Sequence, residues 1–524
     1  MRCRLVVALV ALVALNAIAL PAQTAAQSDP ALAARIAAII DRPEFRHALW
    51  GIEIYDADAR RPIYALNEEK LFTPGSTTKL LSAGTALARL GATHRFSTKV
   101  YRTGAIAANG TLNGDLVLVA SGDPNLSQRM QPDGTLAFEN HDHSYGGAAD
   151  TRAVPGDPLV VMRHLATQVA AKGITRIAGR VRVDVSLYHE GTRELGTGVV
   201  VSPIMVNDNV IDVMAAPGDK VGDPVRLTMT PVSRYVHLVN RTRTVPADSG
   251  ASIDQEDRVG ADGTVTVTVT GGVPLGKPGI LYSYAVPSPS QFAREVLTEA
   301  LSAAGVTVAA SGAGAAPDFS KMSAAYSPAN VVAEHVSAPA TEMVKVILKV
   351  SQNMHASGMP LLMGALFGRK GQNGFDVERE WLQSAGLDTK GAQQADGAGG
   401  DAHFSPAFMV SFLEMMSKRP DFAAFKAALP VLGRDGTLYQ IQPQSPAAGH
   451  VFAKTGTFAL GDPLNQGLLV TGKGLAGYAT TESGKNLIVV VYVNNVFVST
   501  APDEITRVVG QALGEVAAAT WSIR

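Results

Sequence analysis

The sequence contains a single cysteine, Cys3, which lies in the apolar segment at the N-terminus. The rest of the chain therefore cannot form a disulfide, use a thiol as a nucleophile or bind a metal through cysteine. Its 11 histidines show none of the spacings that are typical of zinc sites. We predict that the protein needs no metal and no other cofactor.

An excess of one sign of charge is also absent, because 45 Lys and Arg residues stand against 46 Asp and Glu residues. Without a basic excess the chain has no global positive field to attract a polyanion. We therefore expect no nucleic-acid partner.

Only one long apolar run occurs, "LVVALVALVALNAIAL", between Arg4 and the small residues of "PAQTAAQ". This pattern predicts a cleaved secretory signal peptide over residues 1–26. An uncleaved membrane anchor is the alternative, although the run is short for a spanning helix. No later segment has about 18 uncharged apolar residues in succession, so we expect no integral membrane segment in the mature protein. An exported, cysteine-free protein of this kind fits a bacterial periplasm.

After the leader, residues 47–66 ("HALWGIEIYDADARRPIYAL") have two apolar runs around a turn-rich centre, which predicts a hairpin. From Pro74 the pattern becomes helical and ends at Gly91. Four leucines share one face of this helix: Leu80, Leu81, Leu87 and Leu90.

The middle region has a different texture. "VVMRHLATQVAAKGITRIAGRVRVD" and "FAREVLTEALSAAGVTVAASG" each indicate a helix, a glycine stop and a strand. Between them the chain is strand-rich, with strict alternation in "GTVTVTVTG". We interpret this region as an α/β insert that carries a smaller all-β insert of its own.

The last part of the chain returns to mixed structure. "ATEMVKVILKVSQNM" and "SPAFMVSFLEMMSKR" predict helices, and "LAGYATTESGKNLIVVVYVNN" predicts a hairpin. The C-terminal helix has an apolar stripe that could bind a membrane surface, but its polar face has few basic residues, so we expect it to pack on a sheet. The predicted division is signal peptide 1–26, catalytic domain 27–94 and 326–524, α/β insert 95–214 and 288–325, and inner β-rich domain 215–287.

Ser76 and Lys79 lie three residues apart at the start of the predicted helix. This spacing places the hydroxyl and the ammonium on one helix face. A serine is also a common helix N-cap, and this is the simpler interpretation. The Ser76 hydroxyl becomes a nucleophile only if burial or a second cation lowers the pKa of Lys79, because the neutral amine can then take the hydroxyl proton.

Two further motifs favour the chemical interpretation. Ser351-Gln352-Asn353 follows an apolar helical run, and Lys454-Thr455-Gly456-Thr457 lies on a predicted strand. Singly, the first motif would be a helix-end hydrogen-bonding pair and the second an ordinary strand end. Together with Ser76-x-x-Lys79 they form, in order, the motif set of penicillin-recognising serine enzymes, with Ser-Gln-Asn in place of Ser-Asp-Asn. Lys454 is then the second cation, and Gly456 is expected to admit a substrate backbone.

The sequence resembles the class C low-molecular-mass penicillin-binding proteins, which are D-alanyl-D-alanine carboxypeptidase/endopeptidases. Besides the three motifs, the resemblance includes "SGDPNL", "NDNVIDV", "LPVLGRDGTL" and "LAGYATT". The long interval between Ser76 and Ser351 also fits, because this family places its extra domains there. The resemblance implies an α+β multidomain fold: a penicillin-binding/β-lactamase-like transpeptidase domain, with an antiparallel sheet flanked by helices, carrying the large insert.

The resemblance also implies roles for the motif residues. Ser76 would be the acylated nucleophile, Lys79 its general base and Ser351 the proton relay to the leaving amine. Asn353 would hold the substrate amide and Lys79. Lys454, with Thr455 and Thr457, would attract the terminal carboxylate, and the N–H groups of Ser76 and Thr457 would form an oxyanion hole. The partners would be peptidoglycan stem peptides and β-lactams, and a homodimer is left open.

The chain departs from the family pattern at three places, which we expect to lie near the cleft rim and to affect substrate range and rate. Ala398 stands where the family has serine in Asp-Gly-Ser-Gly. Ser357 occupies an often acidic position, and Pro360 is expected to interrupt its helix. Residues 458–474 form a longer stretch than the family has before "LAGY".

Two weaker candidates remain. His141, Asp142 and His143 could bind a metal, but a solvated loop is the favoured interpretation. Asp123 either helps to form a side-chain pocket or caps a turn. For the whole chain, the alternatives to a DD-peptidase are a β-lactamase or esterase on the same scaffold, and a peptidoglycan-binding protein without turnover.

Overall fold

The computed structural model describes residues 29–147, 150–310, 317–501 and 503–524. The predicted signal peptide, residues 1–26, lies outside these ranges. Within them, none of the helices combines the length and apolar character needed to cross a membrane.

The catalytic part is built on an antiparallel six-stranded sheet. The predicted hairpin of residues 47–66 is confirmed as two of these strands. In spatial order the strands are Val451–Asp462, Gly467–Thr480, Asn486–Asn494, Leu49–Asp56 and Arg61–Leu66, with Val496–Val498 paired to the second of them.

Helices cover both faces of this sheet, because its central strand, Asn486–Asn494, is apolar on both sides. Val489 and Val491 pack into one core with the first and last helices of the chain, whereas Val490 and Tyr492 pack into another core on the opposite face. Two helices border the first core: Pro30–Ile40 and Gln511–Ala518. The other helices of the catalytic part are Lys79–Leu90, Ala340–Lys349, Asn353–Phe367, Gly374–Ser384, Pro406–Ser417 and Phe422–Ala427. A short two-stranded sheet joins Ala392–Gln394 to Ala402–Phe404.

The C-terminal helix packs on the central sheet as predicted, through residues that include Val509 and Leu513. Its first turns, Ile505–Gly510, are a π-helix. The expectation that Pro360 interrupts its helix is wrong, since Asn353–Phe367 is continuous across it. Proline lacks the N–H that would bond to the carbonyl of Ala356, and the loop at Gly397 packs against that carbonyl instead, where a Cβ would lie only 2.0 Å from its oxygen.

The insert contains a four-stranded sheet, a three-stranded sheet and two long helices. Both predicted helix–glycine–strand segments are confirmed, and their glycine stops, Gly173 and Gly305, have φ of 79° and 82°. The strands of the four-stranded sheet are, in order, Val331–Val336, Ser97–Arg102, Leu116–Val119 and Val181–Asp184, and the first of them comes from the segment 326–524 that was predicted to be catalytic. Those of the three-stranded sheet are Thr307–Val308, Arg176–Ile177 and Thr111–Leu112. The helices are Val160–Ala171 and Pro289–Ala303, with a short helix at Phe319–Met322.

The strand-rich inner region forms two more sheets. One contains Ile280–Ala285, Val210–Ala216 and Arg226–Thr230. The other contains Val236–Asn240, Val265–Pro274, Arg243–Val245 and Ser252–Val259. The alternating valines of Val265–Pro274 pack into the same apolar core as the insert's two long helices. The domain limits themselves stay a prediction.

Candidate active site

The turn that carries Ser76 is pressed against the strand Val451–Asp462, which we call the cleft strand. Gly75 opens a 3₁₀ turn, Gly75–Thr78, with φ of 52°, a conformation that favours glycine. A Cβ on Gly75 would lie 2.5 Å from the Thr457 nitrogen, and one on Gly456 would lie 2.0 Å from the Pro74 oxygen. Both glycines are therefore required by the contact between turn and strand. For Gly456 this is a different reason from the substrate approach predicted from the sequence.

The Lys79 ammonium is the centre of the site. Its Nζ donates to Ser76 Oγ at 2.8 Å, to Ser351 Oγ at 2.9 Å and to the Ser351 carbonyl oxygen at 2.7 Å. It also donates to Asn353 Oδ1. The structure thus brings together four residues that are separated in sequence into two motifs.

The electrostatics of Lys79 fit a base. The side chain is fully buried, and this desolvation lowers its pKa to about 7, against the opposing influence of Asp142, Glu194 and Asp396. A lysine with that pKa exists half as the neutral amine near pH 7, and can accept a hydroxyl proton.

Ser351 lies between two helices, Ala340–Lys349 and Asn353–Phe367. Its φ is 65°, a left-handed conformation that is rare for a residue with a side chain and is often retained at functional sites. The next residue, Gln352, caps the second helix by accepting from the His355 N–H at 3.2 Å. This backbone geometry directs both the hydroxyl and the carbonyl of Ser351 to Lys79.

Asn353 is held by two insert residues that the sequence analysis missed. Its Nδ2 donates to Tyr145 Oη at 2.6 Å and to Glu194 Oε1 at 2.9 Å. Neither residue belongs to a motif, and both are distant from Asn353 in sequence. Their position was not predictable from local pattern.

The residues of the cleft strand differ in their access to solvent. Thr455 and Thr457 line the cavity, and Thr455 Oγ1 lies 2.7 Å from Thr437 Oγ1. Lys454 is fully buried, and its Nζ donates to the Thr455 carbonyl oxygen at 2.8 Å. Burial and the neighbouring ammonium groups lower the pKa of Lys454 well below its usual value. Lys473, which no motif contains, lines the cavity beside Thr457.

The cavity in front of Ser76 has a volume of about 660 Å³. Its walls come from both parts of the chain. The catalytic part supplies Ser76, Ser351 and the cleft strand, and the insert supplies His141, Asp142, Tyr145, Gly146, Thr151, Leu195 and Gly196.

The loop that contains Ala398 supports the nucleophile turn from behind. Asp396 Oδ1 accepts from the N–H groups of Ala398 and Gly399, and the Gly397 carbonyl accepts from the Ser82 hydroxyl at 2.7 Å. A Cβ on Gly399 would lie 2.1 Å from the Gly75 oxygen. This departure from the family pattern therefore lies against the turn that carries the predicted nucleophile.

The other two departures differ in their positions. Ser357 lies half-buried on the helix Asn353–Phe367 and is not among the described residues that line the cavity. The stretch 458–474 extends the cleft strand into a longer hairpin, and its residues Phe458, Ala459 and Leu460 line the cavity. Their effect on substrate range stays a prediction.

The interpretation of the His141–His143 segment as a solvated loop is wrong. His143 is buried, and its ring nitrogens lie 2.7 Å from Asp212 Oδ1 and 2.8 Å from Asp208 Oδ2. Asp142 is buried too and accepts from Gln352. Over the described ranges, no cluster of His, Cys, Asp and Glu has an arrangement that could hold a metal ion.

Asp123 lies apart from the cavity, among the residues that the structure describes. It is buried, and its Oδ1 accepts from the Asn125 N–H at 2.9 Å, as a turn cap does. Its Oδ2 is 3.8 Å from His335 Nε2. Desolvation raises the pKa of Asp123 to about 6.

The fold is similar to that of a solved structure, penicillin binding protein 4 from Haemophilus influenzae. The two share 19% sequence identity with a TM-score of 0.66, and the similarity covers 92% of this chain and 97% of the other. This similarity shows the class of fold, that of a penicillin-binding protein, in which the Ser76 hydroxyl contacts the Lys79 amine at the cavity.

The particular family follows from the sequence comparison. A family model described as the D-Ala-D-Ala carboxypeptidase 3 (S13) family matches residues 32–513, and the chain belongs to this family. The resemblance inferred from the motifs, the α+β multidomain fold class and the assignment as a DD-peptidase are confirmed.

Two relatives bear the corresponding name. The D-alanyl-D-alanine carboxypeptidase of Actinomadura sp. (strain R39) is 27% identical over 450 residues, which cover 81% of this chain and 76% of the relative. The D-alanyl-D-alanine carboxypeptidase DacB of Haemophilus influenzae is 22% identical over 452 residues, which cover 82% of this chain and 81% of the relative.

Proposed function

We propose that the protein is an exported, periplasmic enzyme that removes the terminal D-alanine from peptidoglycan stem peptides and cleaves their D-Ala cross-links. The observation that carries this proposal is the contact of Lys79 Nζ with both Ser76 Oγ and Ser351 Oγ, at 2.8 and 2.9 Å. One amine can then take a proton from the nucleophile and return it through the second hydroxyl.

In the acylation step, Ser76 Oγ attacks the carbonyl carbon of the penultimate D-alanine while Lys79 Nζ takes the hydroxyl proton. The N–H groups of Ser76 and Thr457 stabilise the oxyanion of the tetrahedral intermediate. Its collapse breaks the C–N bond, and Ser351 relays the proton to the leaving amine. Water then hydrolyses the Ser76 ester and regenerates the free hydroxyl.

The remaining site residues bind the substrate. Asn353 holds the substrate amide, and Thr455 and Thr457, with Lys454 buried behind them, form the hydrogen-bonding end of the cleft for the terminal carboxylate. The insert supports a peptide substrate, because Tyr145 and Leu195 of the insert line the same cavity as Ser76. A β-lactam fits the same chemistry, since it presents a reactive carbonyl and a carboxylate.

The test is covalent labelling combined with product analysis. A fluorescent penicillin should label the folded protein at Ser76, as located by peptide mapping, and Ser76→Ala should abolish labelling. Incubation with purified muropeptides should release D-alanine and, for cross-linked substrates, monomers. Rapid loss of the penicilloyl group without D-alanine release would identify a β-lactamase, and stable labelling without any release would identify a binding protein.

A further inference from the structure

A second lysine, Lys473, faces the end of the cleft where the substrate carboxylate is expected. It lies on the strand Gly467–Thr480, directly opposite Thr457 in the antiparallel register. Its Nζ donates to Thr457 Oγ1 at 2.6 Å. The residue is only 8% exposed, and it lines the same cavity as Ser76.

The motif lysine has a different environment. Lys454 is fully buried, its Nζ donates to a backbone carbonyl, and it is not among the described residues that line the cavity. One poorly solvated region contains three lysines, Lys79, Lys454 and Lys473. The positive charge on each of them disfavours protonation of the other two. Burial lowers the pKa of Lys473 only to about 8, which leaves it charged at pH 7, whereas the pKa of Lys454 lies well below its usual value.

Lys473 also lacks a protein counter-ion. Over the described part of the chain, no Asp or Glu forms an ion pair with it. A buried ammonium without an anion is costly, and an anion that enters the cavity offsets this cost. Because Thr457 Oγ1 accepts from Lys473, its own hydroxyl proton is free to be donated to the same anion.

We propose that Lys473, together with the Thr457 hydroxyl, is the group that contacts the C-terminal carboxylate of the substrate. Lys454 lies behind them and supports the cleft strand and the charge state of Lys79. The ligand is a peptide that ends in a free D-amino-acid carboxylate. The inference rests on the proposed function, because it assumes that such a peptide occupies the Ser76 cavity.

The experiment measures binding without turnover, in a Ser76→Ala background. Calorimetry compares an acyl-D-Ala-D-Ala peptide with a free carboxylate against the same peptide with a terminal carboxamide. Lys473→Met should weaken binding of the acid at least about 30-fold, the lower end of the range for truncating one partner of a desolvated charge pair. It should weaken binding of the amide clearly less, because a neutral amide oxygen carries no net charge to pair with the ammonium.

Two variants serve as controls. Lys473→Arg keeps a cation and should keep the preference for the acid. Lys485→Met removes a partly exposed lysine from the turn after the same strand, and should leave both affinities unchanged. Thermal unfolding checks each variant, and Lys473→Gln replaces the methionine variant if that one does not fold.

The inference would be overturned if Lys473→Met kept the acid preference while Lys454→Met lost it, or if Ser76→Ala bound neither peptide at millimolar concentration. Failure of the proposed function is a separate result. The wild-type protein would then release no D-alanine from muropeptides, although the Ser76→Ala protein could still discriminate between acid and amide.

Discussion

Acylation by β-lactams should depend on pH through Lys79. An ordinary lysine with a pKa of 10.5 is neutral in about one molecule in 3,000 at pH 7, whereas a pKa of about 7 leaves half of the amine neutral. The burial of Lys79 therefore raises the fraction of active base by roughly three orders of magnitude. Since the neutral amine is the form that accepts the proton, the rate should fall about tenfold for each pH unit below 7 and level off above it.

The assay is the second-order rate of acylation by a chromogenic β-lactam in stopped flow, between pH 5 and 8. The variant Asp142→Asn provides a second test, because the Asp142 carboxylate raises the pKa of Lys79. Asp142 Oδ2 has no hydrogen-bond partner in the described residues, so the substitution breaks no bond at that atom. This substitution should move the inflection to lower pH. A flat profile, or an inflection that moves upward in Asp142→Asn, would refute the assignment of Lys79 as the base.

Three further predictions concern the same machinery and the core. Lys79→Ala should slow acylation by about 10²–10⁴-fold. The double variant Ser76→Ala/Lys79→Ala should release product little more slowly than either single variant, because the two residues act in one step. If the two rate losses multiplied, the residues would not share a step. Gly456→Ala should lower the acylation rate at least about 10²-fold, because the added methyl group displaces the turn that carries Ser76. Gly461→Ala is the control: Gly461 lies on the same strand with open space around it, so this variant should be acylated at the normal rate. Equal rates for the two variants would show that the turn tolerates a side chain at Gly456. Burial raises the pKa of Glu378 to about 7, so between about pH 4.5 and 7 the unfolded chain loses this proton while the folded chain keeps it, and stability falls progressively over that range. Glu378→Gln should then raise the free energy of unfolding by up to about 3 kcal/mol at pH 8 and little at pH 4, measured by urea denaturation; the same gain at both pH values would argue against ionisation as the cause.

Much of the catalytic centre was predictable from the sequence, because its reactive residues lie in short local motifs. The spacing of Ser76 and Lys79 puts them on one face of any local helical turn, and here Ser76 lies in the 3₁₀ turn that leads into the helix beginning at Lys79. The order of the three motifs and the alternating or helical apolar periods indicated the family, the hairpin of residues 47–66 and the helices of the insert. Such features depend on neighbours in sequence, and local sterics and hydrogen bonding settle them.

Other features depend on burial, which a short pattern does not encode. The sequence made the His141–His143 segment look like a solvated loop, but Asp212 on the strand Val210–Ala216 and Asp208 in the turn before that strand pair with His143. Pro360 signalled a helix break, yet the helix is continuous across it, and the Gly397 loop packs against the Ala356 carbonyl that proline leaves without an N–H partner. In both cases a tertiary contact overrode the local signal.

The short motifs were enough to identify the groups that could act: a hydroxyl, an amine, a second hydroxyl and an amide. The environment that makes these groups reactive comes from the folded chain. Folding buried Lys79 and so lowered its pKa, and it brought Tyr145 and Glu194 from the insert to Asn353. It also set the strand register that places Lys473 beside Thr457. Desolvation and strand register arise from contacts between residues far apart in the chain, and these exist only once the whole fold has closed.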